Sequence, residues 1–126
     1  RVGEKGYFYA ATLLDDVKQD FDIVHEETFG PVLPIIEFDN IDQVIEWAND
    51  VEYGLASSVF TKDIDTATRM CRELEFGETY INRMHFEAIQ GFHAGVKKSG
   101  IGGADGKHGL EEYLSTHVVY LDTHYE

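Results

Sequence analysis

The chain has 126 residues, 43% of them hydrophobic and 13% aromatic, which is enough apolar content for a folded domain with a core. Its 24 acidic and 10 basic residues give a net charge of −14, which argues against nucleic-acid or anionic-membrane partners because both need clustered lysine and arginine. One cysteine excludes an internal disulfide, and no apolar run approaches the roughly 20 residues of a membrane helix. We therefore expect a cytoplasmic protein.

The middle of the sequence alternates between strand and helix patterns. Three apolar, β-branched runs predict strands, and two segments with apolar residues at helical spacing predict the helices between them. In chain order these are a strand at 32–38, a helix from 41 to about 49, a strand at 55–60, a helix between 63 and 77, and a strand at 78–82. This order predicts an α/β fold in which a βαβαβ unit forms a parallel sheet through right-handed crossovers.

Both predicted helices have recognisable ends. Asn40 is placed to cap the first helix, with Gln43 positioned for a capping box, while Asp63 is placed to cap the second helix and Gly77 to close it. The apolar face of the second helix is predicted to consist of Ile64, Ala67, Cys71 and Leu74. We therefore expect Cys71, the only thiol, to be buried as a small hydrophobe.

The flanks of this unit are less regular. Residues 7–14 predict a strand outside the alternating unit, residues 110–114 a short helix and residues 118–121 a final strand. Such a terminal strand would leave an unpaired edge unless another strand or another subunit covers it. Residues 83–109 show no clear period, and a loop of that length in a compact domain is more often functional than idle.

Two groups of candidate functional residues follow the third strand. His85, Glu87 and His93 lie beyond its carboxyl end, where ligands of parallel sheets gather. Their spacing does not specify a metal site, so we expect no metal there. They form either a solvated polar loop or a site in which Glu87 and His93 hydrogen-bond a small polar substrate. The glycine-rich segment at 95–109 matches neither the Rossmann nor the Walker pattern, which favours a conformationally demanding loop over a phosphate cradle.

A double acid precedes the first strand of the unit. Glu26 and Glu27 lead through Phe29-Gly30-Pro31 into the strand, in a turn where proline fixes φ and glycine relieves the backbone. From composition alone, these acids are either ordinary surface charge or one wall of a ligand site with Phe29 as its apolar floor.

Four ordered motifs resemble those of the NAD(P)-dependent aldehyde dehydrogenases. The segments are EETFGPV at 26–32, NDVEYGLASSVF at 49–60, GETYIN at 77–82 and GVKKSGIGGADGKHGLEEY at 95–113. Within the family, residues 83–109 most resemble the lactaldehyde dehydrogenase branch, which oxidises small hydroxyaldehydes including glycolaldehyde. A semialdehyde dehydrogenase branch is the alternative.

The resemblance implies roles for individual residues. Glu27 matches the acid that holds the nicotinamide ribose hydroxyls of NAD or NADP, and Phe29 matches the aromatic residue packed near the nicotinamide. Residues 83–93 match the loop that helps line the substrate entrance. Where many members have Phe-Gly-Gly, this chain has His93-Ala94-Gly95, which indicates a more polar pocket mouth for a small aldehyde.

The resemblance also implies what the chain does not carry. The nucleophilic cysteine and the cofactor-binding region of the family would lie before Arg1, so no catalytic residue is expected here and the chain alone is expected to be inactive. Residues 1–115 would be the C-terminal part of the catalytic and cofactor region, and residues 116–126 the oligomerisation strand of a homo-oligomer. The absent nucleophile and the start at Arg1 would also fit a non-catalytic assembly or binding module.

Overall fold

A computed structural model describes residues 2–124 of the chain. The chain divides into two compact units, Arg1–Val51 and Glu52–Glu126. Within the described range, none of the helices combines the length and the apolar character needed to span a lipid bilayer.

The first unit contains two parallel strands and two helices. Its elements are β1 (Thr12–Leu14), α1 (Asp22–His25), β2 (Val32–Pro34) and α2 (Ile41–Asn49). β1 runs parallel to β2 with Thr12 opposite Val32, so the strand expected outside the alternating unit instead pairs with β2. The last hydrogen bond of this pair runs from the Ile35 N–H to the Leu14 carbonyl at 2.8 Å. β2 ends at Pro34 and is therefore shorter than the predicted strand at 32–38.

The second unit is built around a parallel strand pair connected by a helix. Its elements are β3 (Tyr53–Gly54), β4 (Ala56–Val59), α3 (Ile64–Glu73), β5 (Glu78–Ile81), β6 (His93–Ala94), β7 (Val96–Lys97), β8 (Gly103–Ala104) and α4 (Gly106–Glu111). β4 and β5 are parallel, with Ala56 opposite Glu78, and α3 connects them, which confirms this predicted crossover. In the described residues each strand has a single partner, so the α/β fold consists of small sheets rather than one three-stranded sheet.

The two longer helices begin at the predicted capping residues. Asn40 Oδ1 accepts from the Gln43 N–H at 3.0 Å, and Asp63 Oδ2 accepts from the Thr66 N–H at 2.8 Å. Each bond satisfies a backbone donor that the first turn of a helix leaves unpaired. The Gln43 side chain accepts from the Asp39 N–H at 2.9 Å, one residue before the position that a capping box uses.

The buried face of α3 differs from the predicted one. Ala67 and Met70 are buried, whereas Ile64 is 75% exposed and Cys71 is also exposed. Ala67 and Met70 are three residues apart and share a face, while Cys71 lies about 100° around the helix from Met70 and about 40° from Ala67, at the exposed edge of that face. The expectation that the Cys71 thiol is buried is wrong for this chain.

Gly77 serves close packing rather than helix termination. α3 ends at Glu73 with Leu74 as its C-cap, so a C-terminal glycine would stand at position 75, two positions before Gly77. A Cβ on Gly77 would lie 1.6 Å from the carbonyl oxygen of Ala94, and one on Gly103 would lie 2.2 Å from that of His93. Only glycine therefore allows the residue before β5, and the first residue of β8, to approach β6 so closely.

The C-terminal segment departs from the predicted elements. The helix expected at 110–114 begins earlier, at Gly106, and ends at Glu111. Residues 118–121 form no strand and their side chains are exposed, while Tyr125 and Glu126 lie outside the described residues. The boundary at 115/116 and the pairing of this segment with another subunit stay predictions.

Gly77→Ala should destabilise the protein because the added methyl group has no space beside the Ala94 carbonyl. Overpacking against backbone costs about 1–3 kcal/mol or more, so urea denaturation should show a loss of about 3 kcal/mol in the free energy of unfolding. Gly100→Ala is the matched control, since its Cβ would lie no closer than 3.7 Å to its neighbours. Equal losses in the two variants would contradict the packing role.

Asn40→Ala should weaken α2 because it removes the acceptor for the Gln43 N–H. The loss of such a cap costs about 1 kcal/mol in the free energy of unfolding. Asn40→Ser keeps a side-chain acceptor and should retain most of that stability. If urea denaturation gave the same midpoint for both variants, the cap bond would have no role in stability.

Candidate functional site

A polar cluster in the second unit begins on β5. Alternate side chains of a strand point to the same face, so Glu78 and Tyr80 lie side by side. The Tyr80 hydroxyl donates to Glu78 Oε2 at 2.8 Å, and Tyr80 is one of the buried residues. One oxygen of the Glu78 carboxylate is therefore fixed by its own strand.

His93 on β6 faces this carboxylate. Its Nδ1 lies 3.1 Å from Glu78 Oε1 and 3.6 Å from Glu87 Oε1. The 3.1 Å approach is within hydrogen-bonding distance but is not aligned for a hydrogen bond, so the contact is best described as an ion pair. The Glu78 side chain is only 15% exposed, against 34% for His93 and 50% for Glu87. The two acids thus approach the same nitrogen, Glu78 from the largely buried strand β5 and Glu87 from the exposed loop after it.

The cluster favours a protonated imidazole. The neighbouring Glu78 carboxylate raises the pKa of His93 above its usual value, burial opposes this, and Glu87 and Asp105 add to the rise. Burial raises the pKa of the Tyr80 phenol, and Glu78 raises it further, so Tyr80 remains a hydrogen-bond donor. The phenol therefore donates a hydrogen bond to the Glu78 carboxylate, and the protonated ring places a positive charge beside it.

The loop after β5 folds over Tyr80. The His85 ring stacks on the Tyr80 ring with centroids 5.0 Å apart, and the Arg83 guanidinium lies 5.7 Å from the same centroid. Arg83 also donates to the Phe86 carbonyl at 3.0 Å, which closes the first turn of the loop. These contacts place Glu87 near His93, although six residues separate them in the chain.

Asn82 anchors the start of this loop to the end of β4. Its Oδ1 accepts from the Thr61 N–H and its Nδ2 donates to the Thr61 carbonyl, both at 2.8 Å. Asn82 also adopts a φ of 54°, a left-handed conformation that asparagine tolerates better than most residues. This reciprocal pair fixes the point at which the chain leaves β5 toward the cluster.

An open cavity of about 340 Å³ lies along β5 and the loop, within the range of about 300–1,000 Å³ that is usual for small-molecule sites. Its lining includes Glu78, Tyr80, Arg83 and Glu87. One carboxylate oxygen each of Glu78 and Glu87 and one ring nitrogen of His93 lie within 4.8 Å of one another, a spacing at which they could also bind a cation. A cation would need a deprotonated Nδ1, however, and the carboxylates that raise the pKa of His93 favour a proton at that atom.

Glu27 and Phe29 belong to the first unit, between α1 and β2. Both side chains are exposed, Phe29 by 89%. Phe29 has a φ of 47°, a left-handed conformation that costs a bulky residue about 1–3 kcal/mol and that occurs at functional sites such as ligand clamps and switch regions. The Glu26 N–H donates to the Asp22 carbonyl at 2.7 Å, and the Thr12 N–H to the Pro31 carbonyl at 2.9 Å, so the turn is held at both ends.

The structure thus brings together two of the residues singled out in the sequence and adds two that were missed. Glu87 and His93 face each other, as a shared site requires, and their substrate role stays a prediction. Glu78 and Tyr80 were assigned only to a strand. The sequence contains one indication of their role. Glu78 is an acid at the first position of a predicted apolar strand, and an acid is rarely buried without a partner.

Comparison with known proteins gives a consistent answer for nearly the whole chain. Residues 1–119 match the model of the aldehyde dehydrogenase family. The lactaldehyde dehydrogenase of Escherichia coli (strain K12) is 61% identical over 122 residues, which cover 97% of this chain and 26% of that protein. The chain therefore spans about a quarter of the length of this relative.

Solved structures agree with the sequence matches. The crystal structure of lactaldehyde dehydrogenase from Escherichia coli superposes with a TM-score of 0.90 at 62% identity, covering 95% of this chain and 25% of that one. An NAD⁺ complex of an aldehyde dehydrogenase from Bacillus cereus gives a TM-score of 0.83 at 42% identity, covering 90% and 23%. The family resemblance of the four motifs is confirmed, and the chain belongs to the aldehyde dehydrogenase family.

Proposed function

We propose that this chain is the C-terminal portion of an NAD(P)-dependent aldehyde dehydrogenase that oxidises small hydroxyaldehydes, such as lactaldehyde or glycolaldehyde, to the corresponding acids. The observation that carries the proposal is the cluster of His93 with Glu78 and Glu87, beside an open cavity in a chain 61% identical to a lactaldehyde dehydrogenase. A hydroxyaldehyde has a hydroxyl and a carbonyl oxygen that such a cluster can bind.

The substrate hydroxyl suits the donors and acceptors of the cluster. The Glu87 carboxylate is half exposed and can accept a hydrogen bond from the hydroxyl, while a protonated His93 can donate to an oxygen of the substrate. Hydrogen bonds to charged groups contribute about 1.5–3 kcal/mol. An aldehyde without the hydroxyl would leave one of these groups unpaired, so the pair supports preference for the hydroxyaldehyde.

Glu27 and Phe29 suit the nicotinamide end of a dinucleotide. A carboxylate can accept hydrogen bonds from two adjacent ribose hydroxyls, and an exposed aromatic face offers a large contact area to a flat ring. The strained backbone at Phe29 presents the ring outward, which gives the turn a purpose beyond connecting α1 to β2. When bound, NAD(P) would supply the hydride acceptor for the oxidation.

The covalent steps require a nucleophile that we place upstream of Arg1. A cysteine thiolate adds to the aldehyde to form a thiohemiacetal, hydride leaves the carbon, and water hydrolyses the resulting thioester to the acid and the free thiol. Cys71 is exposed on α3 and does not lie in the nucleophile motif of the family. This chain would therefore contribute recognition, and the rest of the enzyme the covalent chemistry.

The exposed apolar surface supports a larger assembly. Among the described residues only Val17, Ile45, Ala67, Met70 and Tyr80 are buried hydrophobic residues, while Tyr7, Ile101 and Tyr120 are almost completely exposed. Burying one such side chain contributes about 1.5–3 kcal/mol. We propose that the upstream part of the enzyme covers much of this surface, and that residues 116–126 pair with another subunit of a homo-oligomer.

Glu27→Gln in the full-length enzyme should impair cofactor use while leaving the fold intact. The amide keeps the shape but loses the charge, so we expect kcat/KM for the cofactor to fall by about tenfold or more. Steady-state kinetics with varied cofactor would measure this, and Glu26→Gln is the matched control one residue away. Unchanged cofactor KM and kcat in Glu27→Gln would reject the role.

His93→Ala in the same enzyme should reduce the preference for hydroxyaldehydes. We expect kcat/KM for lactaldehyde to fall about tenfold, because one charged hydrogen bond is lost, and that for propanal to change less than about twofold. Propanal has the same carbon chain without the hydroxyl and so serves as an internal control. A constant ratio of the two substrates would place His93 outside the substrate site.

A further inference from the structure

We infer that Glu78 is a positioning residue, which holds the His93 imidazole with Nδ1 toward its own carboxylate so that Nε2 is the ring nitrogen presented to a substrate oxygen. The inference rests on the substrate role proposed above for His93. It assigns a function to an acid on a buried strand that the family motifs leave unassigned.

Both oxygens of Glu78 are engaged. Oε2 accepts from the Tyr80 hydroxyl at 2.8 Å, and Oε1 lies 3.1 Å from His93 Nδ1. A carboxylate that is 15% exposed loses most of its hydration, and these two partners replace it. The Tyr80 bond also restricts rotation of the carboxylate, so Oε1 stays directed at one place.

The backbone fixes the distance between Glu78 and His93. Gly77 approaches the carbonyl of Ala94 so closely that no side chain fits at position 77. Glu78 follows Gly77 and His93 precedes Ala94, so these two residues lie beside that close approach. On its other side β6 pairs with β8, with His93 opposite Ala104. The Glu78–His93 contact therefore lies between a close backbone approach on one side and the β6–β8 pair on the other.

Glu87 differs from Glu78 in each of these respects. It is 50% exposed, lies 3.6 Å from Nδ1, and is carried by the loop after β5. An exposed carboxylate on a loop can turn toward a ligand, whereas the inner one is already held by two partners. We therefore assign orientation of the imidazole to Glu78 and direct contact with the substrate to Glu87.

Among the described residues, the charges that shift the pKa of His93 are acidic. Glu78, Glu87 and Asp105 each raise the pKa of the ring, with Glu78 contributing most, while burial lowers it. A raised pKa extends the protonated, hydrogen-bond-donating form of the ring to higher pH. Removing the charge of Glu78 should therefore make His93 lose its proton at lower pH.

The test compares Glu78→Gln with the wild type in the full-length enzyme. Around pH 6, where an ordinary histidine is largely protonated, KM for lactaldehyde should agree within about twofold, since the ring carries its proton in both proteins and the amide keeps an oxygen beside Nδ1. As pH rises, the variant should lose His93 protonation first, so its KM should rise at lower pH than that of the wild type, by up to about tenfold. KM for propanal should stay within about twofold throughout.

A second measurement reports on His93 without using activity. Diethyl pyrocarbonate reacts with the neutral imidazole of histidine and not with its protonated form. Peptide mass spectrometry can follow the rate of His93 modification at each pH, and this rate gives the titration curve of His93. We expect this curve to move to lower pH in Glu78→Gln, whereas Tyr80→Phe, which keeps the charge, should move it less. Unfolding midpoints of all variants serve as the control for folding.

The outcomes separate the inference from the proposed function. An unmoved His93 titration curve in Glu78→Gln overturns the positioning role, whatever the kinetics show. A KM for lactaldehyde raised equally at every pH would also overturn it, because that is the signature of a merely structural change. If His93→Ala leaves the ratio of lactaldehyde to propanal unchanged, the substrate role itself fails, and a moved titration curve would then show only an ion pair.

Discussion

The close approach of Gly77 to the Ala94 carbonyl lies next to the polar cluster of the second unit. A side chain at position 77 would collide with that carbonyl, and the neighbouring residues Glu78 and His93 make the central contact of the cluster. Gly77 and Gly103 are thus explained by the short distance between neighbouring backbone segments.

This constraint divides the cluster into a rigid inner part and an exposed outer part. Glu78 and Tyr80 share one strand and one hydrogen bond, so their geometry follows from the pleat. Glu87 depends instead on a loop that is held through its contacts with Tyr80 and through Arg83. Such an arrangement combines a fixed imidazole with an adaptable carboxylate, which suits recognition of a small molecule with more than one oxygen.

The sequence predicts the elements whose signals are local, and it fails where contacts are distant along the chain. The caps at Asn40 and Asp63 and the crossover from β4 to β5 depend on patterns within a few residues, and they are found as expected. The strands β6 and β8 have two residues each, too few for any period, so the spacing of the sequence predicts Glu87 and His93 in the cluster but not their contact with Glu78. The apolar face of α3 was assigned through Ile64 and Cys71, both of which are exposed, because spacing alone fits more than one neighbouring stripe.

The position of Asn82 illustrates how geometry can restrict a residue to one type. A φ of 54° is adopted readily by glycine, and less often by asparagine and aspartate. The reciprocal bonds to Thr61 require an amide, which carries a donor and an acceptor side by side and occurs only in asparagine and glutamine. Asparagine alone belongs to both groups. The choice of asparagine at position 82 is therefore explained by two structural requirements, the left-handed φ and the paired bonds to Thr61, without any role in the chemistry of the neighbouring cluster.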